Sequence, residues 1–333
     1  MSGSRPNLAV VSDSLALTRT GIIANVDSEV RAHAARILCR RQTGETDLVK
    51  HHGHFVWYEL MTTDMAAAKA FYADVVGWGT QDASMPGMPY TLFTAGKTSV
   101  SGIVDLPADA RKLGMRPSWL GYVGVNDVDA TAARIRRLGG TVYVEPTDIP
   151  NISRICVAVD PQMAMIALLK WLTPGQEPAA LSTPGRVGWH ELLAADREQA
   201  FAFYAELFDW QKADADTGAV GTYQLFSAGG ETIGGMFTKQ PEMPAPYWLY
   251  YFNVGDIDVA MRRVKAGGGG ILSGPVEVPG GSWVVQCTDP QSAIFALSGK
   301  RANDGIGYFE RAVSRDPADV RFGLRKRTDG TSS

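Results

Sequence analysis

One module of roughly 130 residues occurs twice in this chain, and the duplication limits the possible folds more than any other feature. The tetrad WYEL at residues 57–60 recurs as WHEL at residues 189–192, 132 positions later. Further identities follow in the same order, and the spacing changes only where turns are expected: Phe71 with Phe203, Tyr72 with Tyr204, Trp78 with Trp210, Trp119 with Trp248 and Asp160 with Asp289. Matches in this order indicate a tandem repeat.

The repeat divides the chain into five segments. We predict modules at residues 53–172 and 185–299, joined by a linker at 173–184 that is rich in Pro, Gly, Ser and Ala. Residues 1–52 form an N-terminal extension, in which 27–41 has the apolar spacing of an amphipathic helix. Residues 300–333 form a mildly basic C-terminal tail.

Each module has an α+β pattern. In the first, residues 55–60 are rich in aromatic and β-branched side chains and predict a strand, and Asp64 caps a helix whose apolar residues have helical spacing. Strands are expected at 90–94 and 99–104. A second strand and helix follow at 120–125 and 128–138, and the last strands are expected at 142–145, 154–159 and 165–169. The order is βαβββ twice per module, which predicts a curved mixed sheet around a cleft that suits a small molecule.

Composition excludes several classes of function. The net charge of −3 provides no general attraction to nucleic acid or to anionic membranes. The three cysteines, Cys39, Cys156 and Cys287, are too far apart for a zinc motif and odd in number, so we expect reduced thiols. No apolar run is long enough for a membrane span, and the N-terminus lacks a secretory pattern, so we expect a cytoplasmic protein. Nucleotide-binding glycine motifs and GxSxG are absent from the sequence.

The modules resemble the vicinal oxygen chelate superfamily of glyoxalases, extradiol dioxygenases and bleomycin-resistance proteins. The resemblance rests on Asp64, Phe71-Tyr72 and Gly77-Trp78 after the first strand, on the VNDVD segment at 125–129 and on the DPQ turn at 160–162. The tandem arrangement with a Trp-x-Glu-Leu opening is similar to actinobacterial two-module proteins of glyoxalase or hydroxylase type. This fold hosts many chemistries, so the resemblance specifies the fold better than the reaction.

Metal-dependent members of this superfamily hold a divalent ion with His and Glu side chains on the sheet. Carried onto this chain, their ligand positions fall on residues that do not bind metals: Trp57 and Trp189, Leu120 and Leu249, Ala167 and Ala296, and a fourth pair near Ile103 and Met236. We therefore expect neither a chelated metal nor another cofactor.

The glutamates of the repeated tetrad are the candidate catalytic residues. Glu59 and Glu191 lie two residues after the tryptophans and share their face of the strand if the register holds. A carboxyl group in a partly apolar cleft can act as a general acid or base or bind a ligand. The alternative is a structural carboxylate at a strand edge.

The candidate substrate-binding residues are mostly aromatic side chains and strand glycines. They are Trp57, Tyr90, Gly102, Tyr122, Trp189, Tyr223, Gly235, Tyr251 and Trp283. Each aromatic side chain has core packing as its alternative, and each glycine has a β-bulge. Arg154 stands opposite Trp283 in the repeat, which indicates that the two clefts do not bind the same molecule.

The five histidines offer little chemistry. His51, His52 and His54 precede the first strand, and a polar lead-in to the strand competes there with a metal-binding cluster. His33 lies in the N-terminal extension. His190 alternates with Trp189 and Glu191, so we expect it on the opposite face of the strand, at a surface or an interface.

Two functions remain after these exclusions. The first is a small-molecule-binding protein without a chelated metal, like the bleomycin-resistance branch. The alternative is an enzyme of glyoxalase or hydroxylase type that uses Glu59 or Glu191 as acid or base. The expected partner is a small-molecule ligand, with no nucleic acid and no membrane, and the chain is either a monomer or a homodimer.

Overall fold

The computed structural model describes residues 51–84, 89–112, 114–172, 180–218 and 221–301. The helix expected at 27–41 and the basic tail beyond Arg301 lie outside these residues. The two modules are described almost completely.

The first module forms one eight-stranded mixed sheet. Its strands have the order β2-β3-β4-β1-β5-β8-β7-β6, so the two βαβββ units meet where β1 pairs with β5. Its elements are β1 (Phe55–Thr62), α1 (Met65–Val75), β2 (Gly79–Asp82), β3 (Tyr90–Ala95), β4 (Thr98–Asp105), α2 (Ala108–Lys112), β5 (Ser118–Gly124), α3 (Val128–Arg137), β6 (Thr141–Ile149), β7 (Ser153–Val159) and β8 (Met165–Trp171).

The second module repeats this arrangement in a second sheet with the order β10-β11-β12-β9-β13-β16-β15-β14. Its elements are β9 (Val187–Ala194), α4 (Arg197–Phe208), β10 (Gln211–Gly218), β11 (Gly221–Ala228), β12 (Glu231–Thr238), β13 (Tyr247–Asp256), α5 (Ile257–Ala266), β14 (Gly270–Val278), β15 (Ser282–Thr288) and β16 (Ile294–Lys300). The predicted α+β class and the doubled βαβββ order are confirmed.

Four aspartates begin the long helices in the same way. The side chains of Asp64, Asp127, Asp196 and Asp256 each accept a hydrogen bond from the backbone N–H three residues further on. This bond satisfies one of the free donors of the first helical turn. Each of these helices starts directly after its cap, so the repeated aspartates determine where the chain leaves a strand and crosses the sheet.

The two modules share one hydrophobic core. It contains side chains from both sheets and from the long helices, among them Phe71, Ile135, Phe203 and Val264. The helices of each module pack on the other module as well, since the rings of Phe71 on α1 and Phe295 on β16 lie 5.8 Å apart. The modules are therefore two halves of one folding unit.

Polar contacts between the modules come in reciprocal pairs. The Tyr72 hydroxyl donates to Asp289 at 3.2 Å, and the Tyr204 hydroxyl donates to Asp160 at 3.0 Å. The indole N–H of Trp78 donates to the carbonyl of Gly185, and that of Trp210 donates to the carbonyl of Gly53, both at 2.6 Å. Residues that the sequence repeat aligns thus make equivalent bonds across the interface, as expected for a pseudo-twofold arrangement.

Residues close to the pseudo-twofold axis break this equivalence. Tyr58 and His190 are counterparts in the repeat, and they contact each other: the Tyr58 hydroxyl lies 2.6 Å from His190 Nε2. Gly121 and Tyr250 are also counterparts, and the Gly121 N–H donates to the Tyr250 hydroxyl at 2.8 Å. A Cβ atom on Gly121 would lie 2.6 Å from that hydroxyl oxygen, so the ring occupies the space of a missing side chain.

His190 lies on the inner side of β9, on the face opposite Trp189 and Glu191, as predicted. It is buried between the modules, and its Nδ1 lies 2.6 Å from the carbonyl oxygen of Ile233. The ring of Phe55 stacks on it at 4.1 Å. Burial lowers the pKa of His190 to about 4, so the ring is neutral at pH 7.

The opposite side of each sheet is turned away from the shared core, and we call it the outer face. Separate apolar clusters lie there, one around Leu120, Tyr122 and Ala167 and the other around Leu249 and Tyr251. The two outer faces belong to different sheets and share no apolar cluster.

The described cysteines are reduced, and the described helices are short. Cys156 and Cys287 are buried free thiols, as expected, whereas Cys39 lies outside the described residues. Within the described part of the chain, every helix is too short or too polar to cross a bilayer.

Candidate functional site

The centre of each outer face is formed by the first strand of the module. In β1, Trp57 and Glu59 point to the outer face and Leu60 points into the shared core, because side chains alternate along a strand. β1 lies between β4 and β5, where Glu59 is opposite Gly102 on one side and Leu120 on the other. The predicted register of the repeated tetrad therefore places its glutamate in the middle of the sheet.

In the first module, two tyrosines hold the glutamate. The Tyr90 hydroxyl donates to Glu59 Oε2 at 3.1 Å, and the Tyr122 hydroxyl donates to Glu59 Oε1 at 3.3 Å. The indole of Trp57 is hydrogen-bonded in turn to Tyr90. Four residues from three strands thus form one polar network within an apolar surface.

The second module has the same network. The Tyr251 hydroxyl donates to Glu191 Oε2 at 2.8 Å, and Tyr223 is hydrogen-bonded to the same carboxylate. The Trp189 indole N–H donates to the Tyr223 hydroxyl at 2.8 Å. The candidate residues therefore assemble around each glutamate, with equivalent partners in the two modules.

The strand glycines make room for the tyrosines. A Cβ atom on Gly102 would lie 1.8 Å from the Tyr90 hydroxyl oxygen, and one on Gly235 would lie 2.3 Å from Cζ of Tyr223. Any larger residue would push the tyrosine away from the glutamate. These glycines therefore mark a close approach, and the approaching group is a tyrosine ring.

Burial controls the ionisation of the networks. It raises the pKa of both Glu59 and Glu191, and the hydrogen bonds from their tyrosine partners offset part of the rise. It also raises the pKa of Tyr90, Tyr122 and Tyr251, and the adjacent carboxylate adds to that rise. The tyrosines therefore remain protonated donors at neutral pH, and each glutamate is the one group of its network suited to exchanging a proton.

Trp283 is the candidate that the structure places elsewhere. It lies on the inner side of β15, where it packs against the shared core, and the guanidinium of Arg301 lies 3.9 Å from its ring centre. Its counterpart Arg154 forms ion pairs with Asp129 and Asp148. The difference between Trp283 and Arg154 therefore lies at the edges of the modules and not on their outer faces.

Three further residues lie on the outer faces and were not among the candidates predicted from the sequence. Trp171 at the end of β8 makes an edge contact with Trp57, Gln286 on β15 is hydrogen-bonded to Tyr251, and Tyr247 on β13 packs on the outer cluster of its module. Their orientation could have been predicted from the sequence, because all three side chains continue the period-two alternation of strands already predicted.

Most positions carried over from the metal ligands of the superfamily hold apolar side chains on the outer faces, and one pair lies elsewhere. Leu120, Leu249 and Ala167 belong to the outer clusters. Ile103 and Met236, by contrast, are fully buried in the shared core, because the alternation along β4 and β12 turns their neighbours outward. Among the described residues there is no group of three or more His, Cys, Asp or Glu side chains arranged to hold a metal ion.

Curated relatives share much of the length of this chain. A protein of Mycobacterium tuberculosis that is named as a glyoxylase, CFP32, is 32% identical over 246 residues, which cover 72% of this chain and 92% of the relative. The anthracycline biosynthesis protein DnrV of Streptomyces peucetius is 30% identical over 257 residues, with coverages of 72% and 91%.

Solved structures share the fold. The Mn(II)-bound glyoxalase of Novosphingobium aromaticivorans superposes with a TM-score of 0.54 at 15% identity and covers 75% of this chain and 83% of its own. The 2,3-dioxygenase LapB of Pseudomonas sp. KL28 superposes with a TM-score of 0.53 at 11% identity, with coverages of 74% and 92%.

A family model matches both modules, at residues 53–168 and 186–295. The matched segments contain both first strands and both glutamate networks. The chain is a member of the Glyoxalase/Bleomycin resistance protein/Dioxygenase superfamily.

Proposed function

We propose that this protein binds a small organic molecule on an outer face and does so without a chelated metal. The observation that carries the proposal is the glutamate held by two tyrosines at the centre of each sheet, surrounded by apolar side chains. Such a surface combines apolar contact area with a few fixed polar groups, which is how ligand sites for organic molecules are built.

The donor set supports the metal-free part of the proposal. A protein site for a divalent transition metal needs three or four ligating side chains. As far as the structure describes it, each polar network contains a single carboxylate, which is fewer ligands than such a site needs. Metal analysis of the purified protein tests this part directly. We expect substoichiometric Ni, Zn, Fe and Mn, and one equivalent of any of them would contradict the proposal.

The ligand would meet aromatic rings and a hydrogen-bond acceptor. Trp57 and Tyr122 offer ring surfaces for packing against an apolar or aromatic molecule. Glu59 can accept further hydrogen bonds, because each carboxylate oxygen has two lone pairs and receives one tyrosine donor. Since DnrV is named for anthracycline biosynthesis, anthracyclines and their precursors are the first molecules to test.

Ligand-dependent thermal unfolding tests binding. We expect at least one member of a panel of aromatic hydroxylated compounds to raise the Tm of the protein, because a ligand that binds the native state alone stabilises it. Native mass spectrometry should then show the same compound bound to the intact chain. Failure of every compound to shift the Tm, together with the absence of any co-purifying small molecule, would contradict the proposal.

A second candidate function is acid–base catalysis on the bound molecule. It is favoured by the raised pKa of Glu59 and Glu191, since a carboxyl group that titrates closer to neutral pH transfers protons more effectively. Glu59→Gln and Glu191→Gln distinguish the two functions once a ligand is known. In an enzyme one of these variants loses turnover and retains affinity, whereas in a binding protein no turnover exists to be lost.

A further inference from the structure

The two outer faces carry the same polar network but different surroundings. Around the network, equivalent strand positions hold side chains of different size. In the first module Ser118 pairs with Met61 of the first strand. The repeat aligns Ser118 with Tyr247, which pairs with Leu193 in the second module. On the strand at the other side of the first strand, Val104 corresponds to Phe237.

In the second module, the large side chains cover the glutamate. Phe237, Met243 and Tyr247 pack on the outer cluster of that module, and Glu191 is only 7% exposed. Tyr247 is close enough to Glu191 for the carboxylate charge to raise the pKa of its hydroxyl. A ligand would have to displace these side chains before it could reach the carboxylate.

In the first module, smaller side chains stand around the glutamate, and the residue is more exposed than its counterpart. Ser118 and Val104 occupy the positions of Tyr247 and Phe237, and Glu59 is half-buried instead of buried. The glutamate of the first module is therefore the more exposed of the two, and its carboxylate lies between two tyrosine hydroxyls.

The walls of the two faces also differ in polarity. In the first module, β7 and β8 present Val157, Leu169 and Trp171, and the ring of Trp171 meets that of Trp57 edge to face at 6.4 Å. The equivalent positions on β15 and β16 are Gln286, Ser298 and Lys300. Gln286 is bonded to Tyr251, and the Lys300 ammonium donates to the carbonyl of Gly281 at 2.9 Å.

From these differences we infer that the outer face of the first module is the ligand site and that the second is its closed structural counterpart. This inference rests on the proposed function. The site takes a flat, largely apolar organic molecule that packs against Trp57, Trp171 and Tyr122 and donates a hydroxyl or amine hydrogen to Glu59. In the second module the polar network is buried beneath larger side chains and takes no ligand.

Calorimetric titration with 2-naphthol tests the inference, with 2-methoxynaphthalene as a matched probe that lacks the donor. We expect one molecule of 2-naphthol per chain and about tenfold weaker binding of the methoxy compound, since one hydrogen bond to a charged group corresponds to roughly that factor. Ser118→Tyr, which copies the closed face, should abolish binding. Tyr247→Ser, its mirror image, should retain the first site.

Trp171→Lys provides a second variant, because Ser118→Tyr could disturb packing. It copies Lys300 at a half-buried strand end and should weaken 2-naphthol binding about tenfold through loss of aromatic contact. Circular dichroism spectra and the unfolding midpoint of each variant show whether it is folded.

Two results would overturn the inference and leave the proposed function intact: two equivalent sites in the wild type, or one site that a folded Ser118→Tyr variant retains unchanged. Absence of binding of either naphthalene to the wild type, up to the solubility limit of the probes, would count against the inference and the proposed function together.

Discussion

The inner and outer faces of the two modules have diverged to different degrees. On the inner faces, away from the pseudo-twofold axis, several equivalent residues make equivalent bonds across the interface, as Tyr72 and Tyr204 do with Asp289 and Asp160. On the outer faces, the glutamate networks are equivalent, whereas the residues around them differ in size and polarity. The difference indicates that packing between the modules restrains most of the inner side of each sheet, apart from the positions at the axis, and restrains the outer side less.

The largest effect is expected for the paired tryptophans of the interface. Trp78→Ala and Trp210→Ala should each destabilise the protein by about 3–5 kcal/mol, because each removes a buried ring and leaves a backbone carbonyl without its donor. Urea unfolding monitored by circular dichroism measures both losses.

The comparison of the two faces predicts similar losses for these two variants. Trp171→Ala on the outer face is the control, and it should cost much less, since its ring is only half-buried. A loss confined to one of the two interface variants, or separate unfolding transitions for the two modules, would show that the modules do not depend on each other equally.

Acidification should reveal the asymmetric contact at the axis. His190 has a folded pKa of about 4, below its ordinary value, so the stability due to its neutral form is complete above pH 6.5 and is lost as the pH falls toward 4. The loss should reach about 3 kcal/mol at the acid end. The unfolding free energy measured between pH 7 and pH 4 tests this expectation.

Tyr58→Phe removes the hydroxyl that faces His190 Nε2 and should destabilise the protein by about 1–3 kcal/mol at pH 7. The exposed Tyr143 provides a matched control, since Tyr143→Phe removes a hydroxyl that is open to solvent. If the variants of Tyr58 and Tyr143 have the same stability, the contact at the axis contributes nothing measurable.

The smallest effect concerns the two glutamates and their different exposure. Burial raises the folded pKa of each, so the stability due to the protonated form is complete below the unfolded pKa and is lost as the pH rises through the folded pKa. At pH 7, therefore, the ionised Glu191 opposes folding. Glu191→Gln should stabilise the protein by about 1 kcal/mol, and Glu59→Gln by less, because Glu59 is less buried.

Thermal unfolding of both variants at pH 7 and pH 4 measures this difference. The gain should shrink at pH 4, where the wild-type carboxyl groups are closer to neutral. A stabilisation that is equal in the two variants, or independent of pH, would contradict the contrast between an open and a closed face.

Much of the fold could be predicted from the sequence, because strands and helices have periods that a single sequence displays. The alternation of Trp57, Glu59 and Leu60 gave the correct face for each side chain, and the repeat supplied the second copy. β2 could not be located, since all four of its residues are exposed and lack an apolar pattern. The short helix α2 lies in a connection that has no apolar periodicity of its own.

The positions of the site residues could be predicted where they followed from the alternation of side chains along one strand. They could not be predicted where they depended on the pairing register between strands. Tyr122 and Tyr251 lie on the same face as Leu120 and Leu249, because residues two apart in a strand point to the same side. No face was predicted for Trp283, which lies on the inner side of β15, since β14 and β15 pair with register shifts and the loop before β15 carries no periodicity. The packing of Met243 on the outer cluster of the second module depends on a connection whose path no local pattern specifies.

The contact between Tyr58 and His190 has a consequence for the history of the chain. In a symmetric homodimer of single modules, a residue on the twofold axis meets its own copy, so the two partners must be chemically identical. Here a hydroxyl meets an imidazole, and the ring of Tyr250 occupies the space left by Gly121. Joining the modules in one polypeptide released these positions from self-pairing, so that a donor could face an acceptor and a protrusion could face a recess.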